Sequence, residues 1–341
     1  MSPPFLSICI PSYNRPNELR NLLASIDCNP TEVEIVICED LAPKRDEVRA
    51  IATAFSASSP YTTHYSENPT NRGFDGNLRR LVECANGEYI MFMGDDDLFV
   101  SGALDQFIAF LKQHRDKPYV LRSYLTEHPD GRTEYFRYLP KSQVLAAGEA
   151  TVAWLFKRSV SLCGFTISRA LALQLATTDL DGTLLYQIYL MAQVCFKQDS
   201  IYCDIPITHA VQTFRGDKPM FGNSEAEKSR FTPGTVSHDN SINFTKAYFE
   251  VTEYLDKQHG TNLTTLVRID LSKYSYPILS IQRKRGIASF LRYAKRLETE
   301  VGFGCTAYFY IYKWALVLFG ERFCDRLIYF IKRSLGHTPN F

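Results

Sequence analysis

The 341 residues are 45% hydrophobic and 22% charged, enough apolar material for a large core and, by length, about two domains. A formal net charge of +1 excludes a whole-chain electrostatic attraction to nucleic acid. The nine cysteines are scattered, with no C-x-x-C pair; an odd count without metal spacing fits a reducing compartment. The start, Met1-Ser2-Pro3-Pro4, carries neither a basic segment nor a long apolar run, so no secretory signal is expected.

Residues 5–10 read as a first strand. Pro11-Ser12-Tyr13-Asn14-Arg15-Pro16 ends it, with Asn14 as N-cap and Pro16 in the first turn of a helix bearing Leu19, Leu22, Leu23 and Ile26. Residues 33–38 form a second apolar strand closed by Glu39-Asp40, and a helix follows over 46–55. Residues 62–65 are a weaker strand, 68–73 a loop, and 77–84 a helix with Leu78, Leu81 and Val82 inward. Asn86-Gly87 stops that helix. Tyr89 to Met93 is then wholly apolar, as in a strand buried on both faces, and it runs into Gly94-Asp95-Asp96-Asp97. This βαβαβαβ order predicts a parallel, doubly wound α/β sheet. Right-handed crossovers would bring Tyr13, Asp40, Asn71 and Asp95 to one carboxyl edge, where such sheets bind ligands.

Beyond the acidic triplet, 103–111 reads as a helix, 119–123 and 133–138 as a hairpin around Asp130-Gly131, and 151–156 as a short helix. A strand is expected over 162–167, with Ser168 capping the next helix. Asp179-Leu180-Asp181-Gly182 opens a helix over 184–194, and 201–211 is a late strand. Residues 223–240 are polar and are expected to be a mobile linker. From 241 onward the pattern is helical.

Each polar cluster has a structural reading beside a functional one. Pro11 to Arg15 is an ordinary turn, or a place where a base stacks on Tyr13 and Arg15 meets phosphate. Asp40 caps a helix, or takes ribose hydroxyls or a base N–H. Asn71, Arg72 and Gly73 with Asn77 form a turn, or contact a diphosphate or sugar. The triplet is a solvated acidic turn, or a site where a hard divalent cation relieves carboxylate repulsion and escorts a diphosphate. Asp179 and Asp181 suit a helix N-terminus, or one acts as general base toward an acceptor hydroxyl. His209 is structural, or a third metal ligand beside Asp96 and Asp97. Arg215 would neutralise a leaving diphosphate. The first turn lacks G-x-G-x-x-G and no G-x-x-x-x-G-K-[ST] occurs, which disfavours nicotinamide-type and P-loop sites.

In order, Ile10-Pro11-Ser12-Tyr13-Asn14-Arg15, Ile37-Cys38-Glu39-Asp40, Asn71-Arg72-Gly73 with Asn77, and Gly87-Glu88-Tyr89-Ile90 leading into Asp95-Asp96-Asp97 resemble the GT-A family 2 nucleotide-sugar glycosyltransferases. The resemblance covers residues 5–112. It implies a Rossmann-like, mostly parallel sheet flanked by helices, and a nucleoside-diphosphate sugar pocket lined by Pro11, Tyr13, Arg15 and Asp40. Mg²⁺ or Mn²⁺ would sit at Asp96, with Asp97 able to share that role and Asp95 toward the ribose. The usual D-x-D-D form is broken, because Gly94 stands at the first acidic position. Asp181-Gly182-Thr183 and Phe214-Arg215-Gly216-Asp217 look like the abequosyltransferase branch that builds bacterial O-antigen. That implies an inverting transfer to a hydroxyl of a polyprenyl-diphosphate-linked saccharide. There is no clean Glu-Asp pair for the base in the acceptor half.

Residues 281–341 hold 11 Lys and Arg against 4 Asp and Glu, a local charge of +7. Between the basic clusters lies an aromatic run over 303–319 interrupted by Lys313. It is too short for a spanning helix, which takes about 20 apolar residues, and fits an interfacial helix with basic flanks. The alternative is a helical bundle that covers the catalytic domain or joins subunits. The expected organisation is a glycosyltransferase domain over 1–222, with a nucleotide-sugar half (1–112) and an acceptor half (113–222), a linker over 223–240, and a basic, aromatic helical region over 241–341. The expected place is the cytoplasmic face of the plasma membrane. Two rivals remain from the sequence: a sugar nucleotidyltransferase, and a non-catalytic sugar- or nucleotide-binding subunit.

Overall fold

The computed structural model describes residues 3–127, 131–211, 221–235 and 237–335. Its first half alternates as expected: β1 (Leu6–Ser12), α1 (Pro16–Ala24), β2 (Val33–Glu39), α2 (Arg45–Ser58), β3 (Thr62–Glu67), α3 (Gly73–Cys84) and β4 (Tyr89–Phe92). β3, β2, β1 and β4 lie side by side and parallel, with Leu6 opposite both Val33 and Tyr89. Strand alternation divides the core. Ile8, Ile10, Ile35, Ile37 and Met91 pack with Leu19, Leu22 and Val48 on one face. Cys9, Val36, Cys38, Ile90 and Phe92 pack with Leu78, Leu81 and Val82 on the other. Burial on both faces is why these strands lack polar alternation.

The second half departs from a purely parallel sheet. After β5 (Leu98–Phe99) and α4 (Ala103–Gln113) come β6 (Tyr119–Glu127), β7 (Thr133–Phe136), β8 (Gln143–Leu145), α5 (Glu149–Phe156), β9 (Phe165–Ser168), α6 (Arg169–Gln174), α7 (Tyr186–Cys195) and β10 (Ser200–Ala210). β9 inserts antiparallel between β4 and β6, and β10 runs parallel to β6. The sheet is therefore mixed, in the order β3-β2-β1-β4-β9-β6-β10-β5. The hairpin of β6 and β7 forms as expected. The two-residue β5 and three-residue β8 were not legible, because so short a strand carries no period.

Several local expectations are corrected. Asn14 adopts φ 64°, a left-handed conformation that Asn tolerates. It turns the chain, and Arg15 takes the N-cap position of α1. Ser168 precedes α6 without a side-chain cap bond. α3 begins at Gly73, four positions before Asn77, so Asn77 is a helical residue.

α8 (His238–His259) joins the sheet domain to α9 (Leu263–Lys273), α10 (Tyr276–Arg283), α11 (Ile287–Arg296) and α12 (Ala307–Leu335). Its Ala247, Val251 and Leu255 belong to the sheet-side core, and its Ile242 and Phe249 to a second core with Leu279, Phe290, Leu297, Phe309 and Leu316. α12 is broken at Gly320, φ 74°. No described helix is long and apolar enough to cross a membrane.

One buried acid fastens the halves together. Asp75 of α3 accepts from the backbone N–H of Gly182 and Leu184 at 2.9 Å and of Tyr186 at 3.0 Å, capping α7 from another element. Burial pushes its pKa up to about 7 against the pull of the Tyr186 and Leu184 N–H groups. A folded-state pKa above the unfolded one means the folded protein keeps a proton that the unfolded chain has lost. This group's contribution to stability is then full below about pH 4 and declines as pH rises to about 7. Asp75→Asn should flatten the fall in Tm between pH 5 and 7 relative to wild type, as thermal unfolding across that range will show.

Candidate active site

The carboxyl ends of β1, β2 and β4 and the start of α3 surround a cavity of about 360 Å³, within the usual range for small-ligand sites. Its lining includes Pro11, Tyr13, Arg15, Asp40, Asn71, Asn77, Asp95, Asp96 and Asp97. Nine of the expected site residues, drawn from four separate stretches, thus meet at one place.

At one end Asp40 Oδ1 accepts from Asn68 Nδ2 (2.8 Å) and Arg72 N (2.9 Å), and Oδ2 from Gly73 N (2.9 Å). Burial holds its pKa above the usual carboxylate range, against those three donors. Asn77 donates to Cys38 O at 3.1 Å and accepts from Asn68 at 3.0 Å. Asn71 Oδ1 accepts from Gly73 N at 2.9 Å. Arg72 contributes its backbone to Asp40, and its side chain does not join the lining. The phenol of Tyr13 is raised above its ordinary pKa by burial and then by Asp40 and Glu227, so its ring shares this end with both acids.

At the other end Arg15 Nη1 bridges Asp95 at 3.2 Å and Asp96 at 2.6 Å. Asp95 also accepts from Tyr13 N at 3.3 Å. Its side chain is 6% exposed against 42% for Asp96, and burial raises its pKa ahead of any neighbour. Asp97 accepts from Val211 N at 3.1 Å and interacts with the buried Cys163 thiol. A Cβ on Gly94 would stand 3.0 Å from Cys163 Sγ and 3.1 Å from Asp96 Oδ1. The missing first acid therefore has a steric reason: this turn has little room for one.

The expected trio of Asp96, Asp97 and His209 is not assembled. Among the described residues no three His, Cys, Asp or Glu side chains converge on a metal position. His209 lies in β10 opposite Leu98, its Nε2 buried without a hydrogen-bond partner among the described residues. The chemistry of the triplet still suits a hard cation. Mg²⁺ and Mn²⁺ accept carboxylate oxygen, and Mg²⁺ commonly takes only one or two carboxylates beside phosphate oxygens. Asp96 offers a half-exposed carboxylate that already holds a positive group.

Asp179 and Asp181 are not brought to the cavity. Both oxygens of Asp181 receive Arg79, Nη1 and Nη2 each at 2.7 Å, and Asp179 accepts from Tyr254 Oη at 2.8 Å. A carboxylate clamped by a guanidinium is poorly placed to take a proton, so the expected base role finds no support in this arrangement. Arg215 lies outside the described residues.

Sequence reasoning missed part of the wall. Ser161, Leu162, Cys163, Phe221, Asn223 and Glu227 complete the lining. The buried Arg122 donates to Cys163 O at 2.8 Å and Ser161 Oγ at 3.1 Å, setting the 161–163 turn. Glu227, 2% exposed, sits in a stretch that reads only as a polar loop. Its nearest aromatics, Phe231 and Phe221, stand four and six positions away, so no local pattern singles it out.

A sequence model described as Glycosyl transferase family 2 matches residues 7–159. The chain is similar to the abequosyltransferase RfbV of Salmonella typhimurium, 30% identical over 112 residues, 33% of this chain and 34% of that protein. It is also similar to a GalNAc(5)-diNAcBac-PP-undecaprenol beta-1,3-glucosyltransferase of Campylobacter jejuni, 26% identical over 102 residues, 30% of this chain and 32% of that one. The match spans about a third of the length of these curated relatives. A crystal structure of S. aureus TarS residues 1–349, solved with UDP, shares the fold with TM-score 0.50 and 14% identity, over 91% of this chain and 89% of that one. The strand-end cavity and the GT-A-like fold agree with that match, and residues 7–159 form a glycosyltransferase family 2 domain.

Proposed function

We propose that the protein transfers a sugar from a nucleoside-diphosphate donor, bound in the strand-end cavity, to a hydroxyl of a lipid-linked saccharide in surface-polysaccharide synthesis. The observation that carries this is the polarity of the cavity. Acceptor groups and an aromatic ring occupy one end, and a guanidinium with a partly exposed carboxylate the other. The nucleoside would stack on Tyr13 and give N–H or O–H groups to Asp40, with Asn71 beside it. Arg15 would turn from Asp96 to the diphosphate. Asp96, with Asp97 alongside, would hold Mg²⁺ or Mn²⁺; His209, as a third ligand, would have to approach from β10. When bound, the cation supplies charge neutralisation for the leaving diphosphate. Attack by the acceptor oxygen on the anomeric carbon would proceed by direct displacement, with inversion. The polyprenyl-diphosphate acceptor class draws support from the printed name of the Campylobacter relative.

The C-terminal region supports a place at an anionic membrane surface. On α12, Ile311, Trp314 and Leu318 line one exposed stripe before Gly320, and Phe319, Phe323, Leu327 and Phe330 line another across it. Ile287 and Leu291 of α11 add to the apolar surface. The exposed Lys284, Arg285, Arg292, Arg322 and Arg326 flank it, each worth on the order of 1 kcal/mol near anionic headgroups. The cytoplasmic face would present both nucleotide donor and lipid-linked acceptor.

Four outcomes are expected. UDP, CDP, GDP and dTDP with Mn²⁺ should separate in a thermal-shift panel, the best one adding about 2.7 kcal/mol at a hundred times its Kd. Asp96→Ala should lower Mn²⁺-dependent transfer by at least about 100-fold; unaltered turnover would remove the metal role. Asp181→Asn should cost about 1–3 kcal/mol of stability through the orphaned Arg79 and keep kcat within about threefold. A folded variant with kcat down more than about 100-fold would instead make Asp181 the base. On phosphatidylglycerol-containing liposomes, Trp314→Glu with Phe323→Glu should reduce co-flotation about 10-fold or more, and flotation equal to wild type would sink the docking reading.

A further inference from the structure

We propose that Glu227 is a positioning residue of the donor site, and that the strap 221–231 carrying it fixes the nucleoside end of the cavity. This rests on the donor-site reading above and adds to it a segment that sequence patterning assigned to a linker.

The strap is built onto the catalytic unit. Glu227 Oε1 accepts from Phe74 N at 2.6 Å and Oε2 from Gly222 N at 2.8 Å. The contact is close enough to require glycine at two places. A Cβ on Gly73 would stand 2.4 Å from Ser224 Oγ and 2.7 Å from Glu227 Oε1, and one on Gly182 would stand 2.3 Å from Ala226 O. The strap thus touches the start of α3 and the turn before α7 together. Its far end belongs to α8: Asn243 Nδ2 donates to Arg230 O at 2.6 Å, and Asn240 exchanges bonds with Thr232 N and O at 2.9 and 2.8 Å. Phe221 and Phe231 close it edge to face at 5.2 Å.

Its effect on the cavity is electrostatic. The N–H groups at the start of a helix form an anion site. Here three successive ones are already taken, Arg72 and Gly73 by Asp40 and Phe74 by Glu227. A diphosphate therefore finds none of these three N–H groups free, and two carboxylates repel it. The neutral nucleoside, with N–H and O–H groups to give, is what this end accepts, and the phosphates are left to Arg15. Glu227 enforces the direction in which a nucleotide lies.

Without its full charge the strap loosens from Phe74, and the start of α3, which holds Asp40 through Arg72 N and Gly73 N, loses its fixed place against the nucleoside. Calorimetric titration of the full chain with UDP, CDP, GDP and dTDP in the presence of Mn²⁺, together with donor kinetics, tests this. For the tightest of the four, Glu227→Gln should weaken binding about 10-fold, and donor KM should rise in step while kcat stays within about threefold. A purely structural role would lower the active fraction, hence kcat, and leave KM alone; that result, or wild-type affinity, overturns the proposal. If Glu227→Gln shows no cooperative unfolding transition, Asn243→Ala frees the strap at its other end and should raise KM in the same way, and an unchanged KM there overturns the proposal equally. Wild-type protein that binds none of the four removes the donor-site reading and the role of Glu227 with it.

Discussion

Five carboxylates, Asp40, Asp95, Asp96, Asp97 and Glu227, face one cavity whose lining holds a single described cation, Arg15. Like charges so placed can persist only if each is held by donors, since a buried unpaired charge is prohibitively costly. The architecture around the cavity follows from that constraint. Asp40 and Glu227 draw on the start of α3, Asp95 on Tyr13 N and Arg15, and Asp97 on Val211 N. Asp96, with a side chain 42% exposed, and Asp97 remain partly exposed, which makes them the acids available to a ligand.

Satisfying these acids also ties the chain together. Asp95 connects the ends of β4 and β1. Asp97 connects the turn after β4 to the end of β10. Asp75, on α3 between the lining residues Phe74 and Asn77, caps α7, and Glu227 brings the segment before α8 onto α3. The donor half, the acceptor half and the helical region are therefore linked through α3 and its neighbours, by hydrogen bonds between residues 82 to 153 positions apart.

The C-terminal helices follow a different logic. Their inner faces form a core of their own with Leu279, Phe290 and Phe309, while large apolar side chains of α12 remain outward. An apolar surface of this kind, rimmed by basic residues, is unusual unless something covers it. The break at Gly320 divides the surface into two short amphipathic segments, a form suited to lying in an interface.

The sequence by itself determined the parallel half of the sheet and the four strand ends that make the cavity. Burial on both faces leaves uninterrupted apolar runs, and the polar residues that end them can lie only at the carboxyl edge. Tyr13, Asp40, Asn71 and Asp95 were legible for that reason. The tertiary structure alone decided the rest. The antiparallel entry of β9 is a matter of pairing, on which a short apolar run is silent. The clamp of Arg79 on Asp181 joins residues 102 positions apart, so an acid that suits a base by position is engaged elsewhere in space. Glu227 sits in a polar stretch without period, and only the closeness of Ser224 and Ala226 to Gly73 and Gly182 places it on the cavity wall. Local pattern reports which face a residue shows; what that face meets depends on contacts between distant segments.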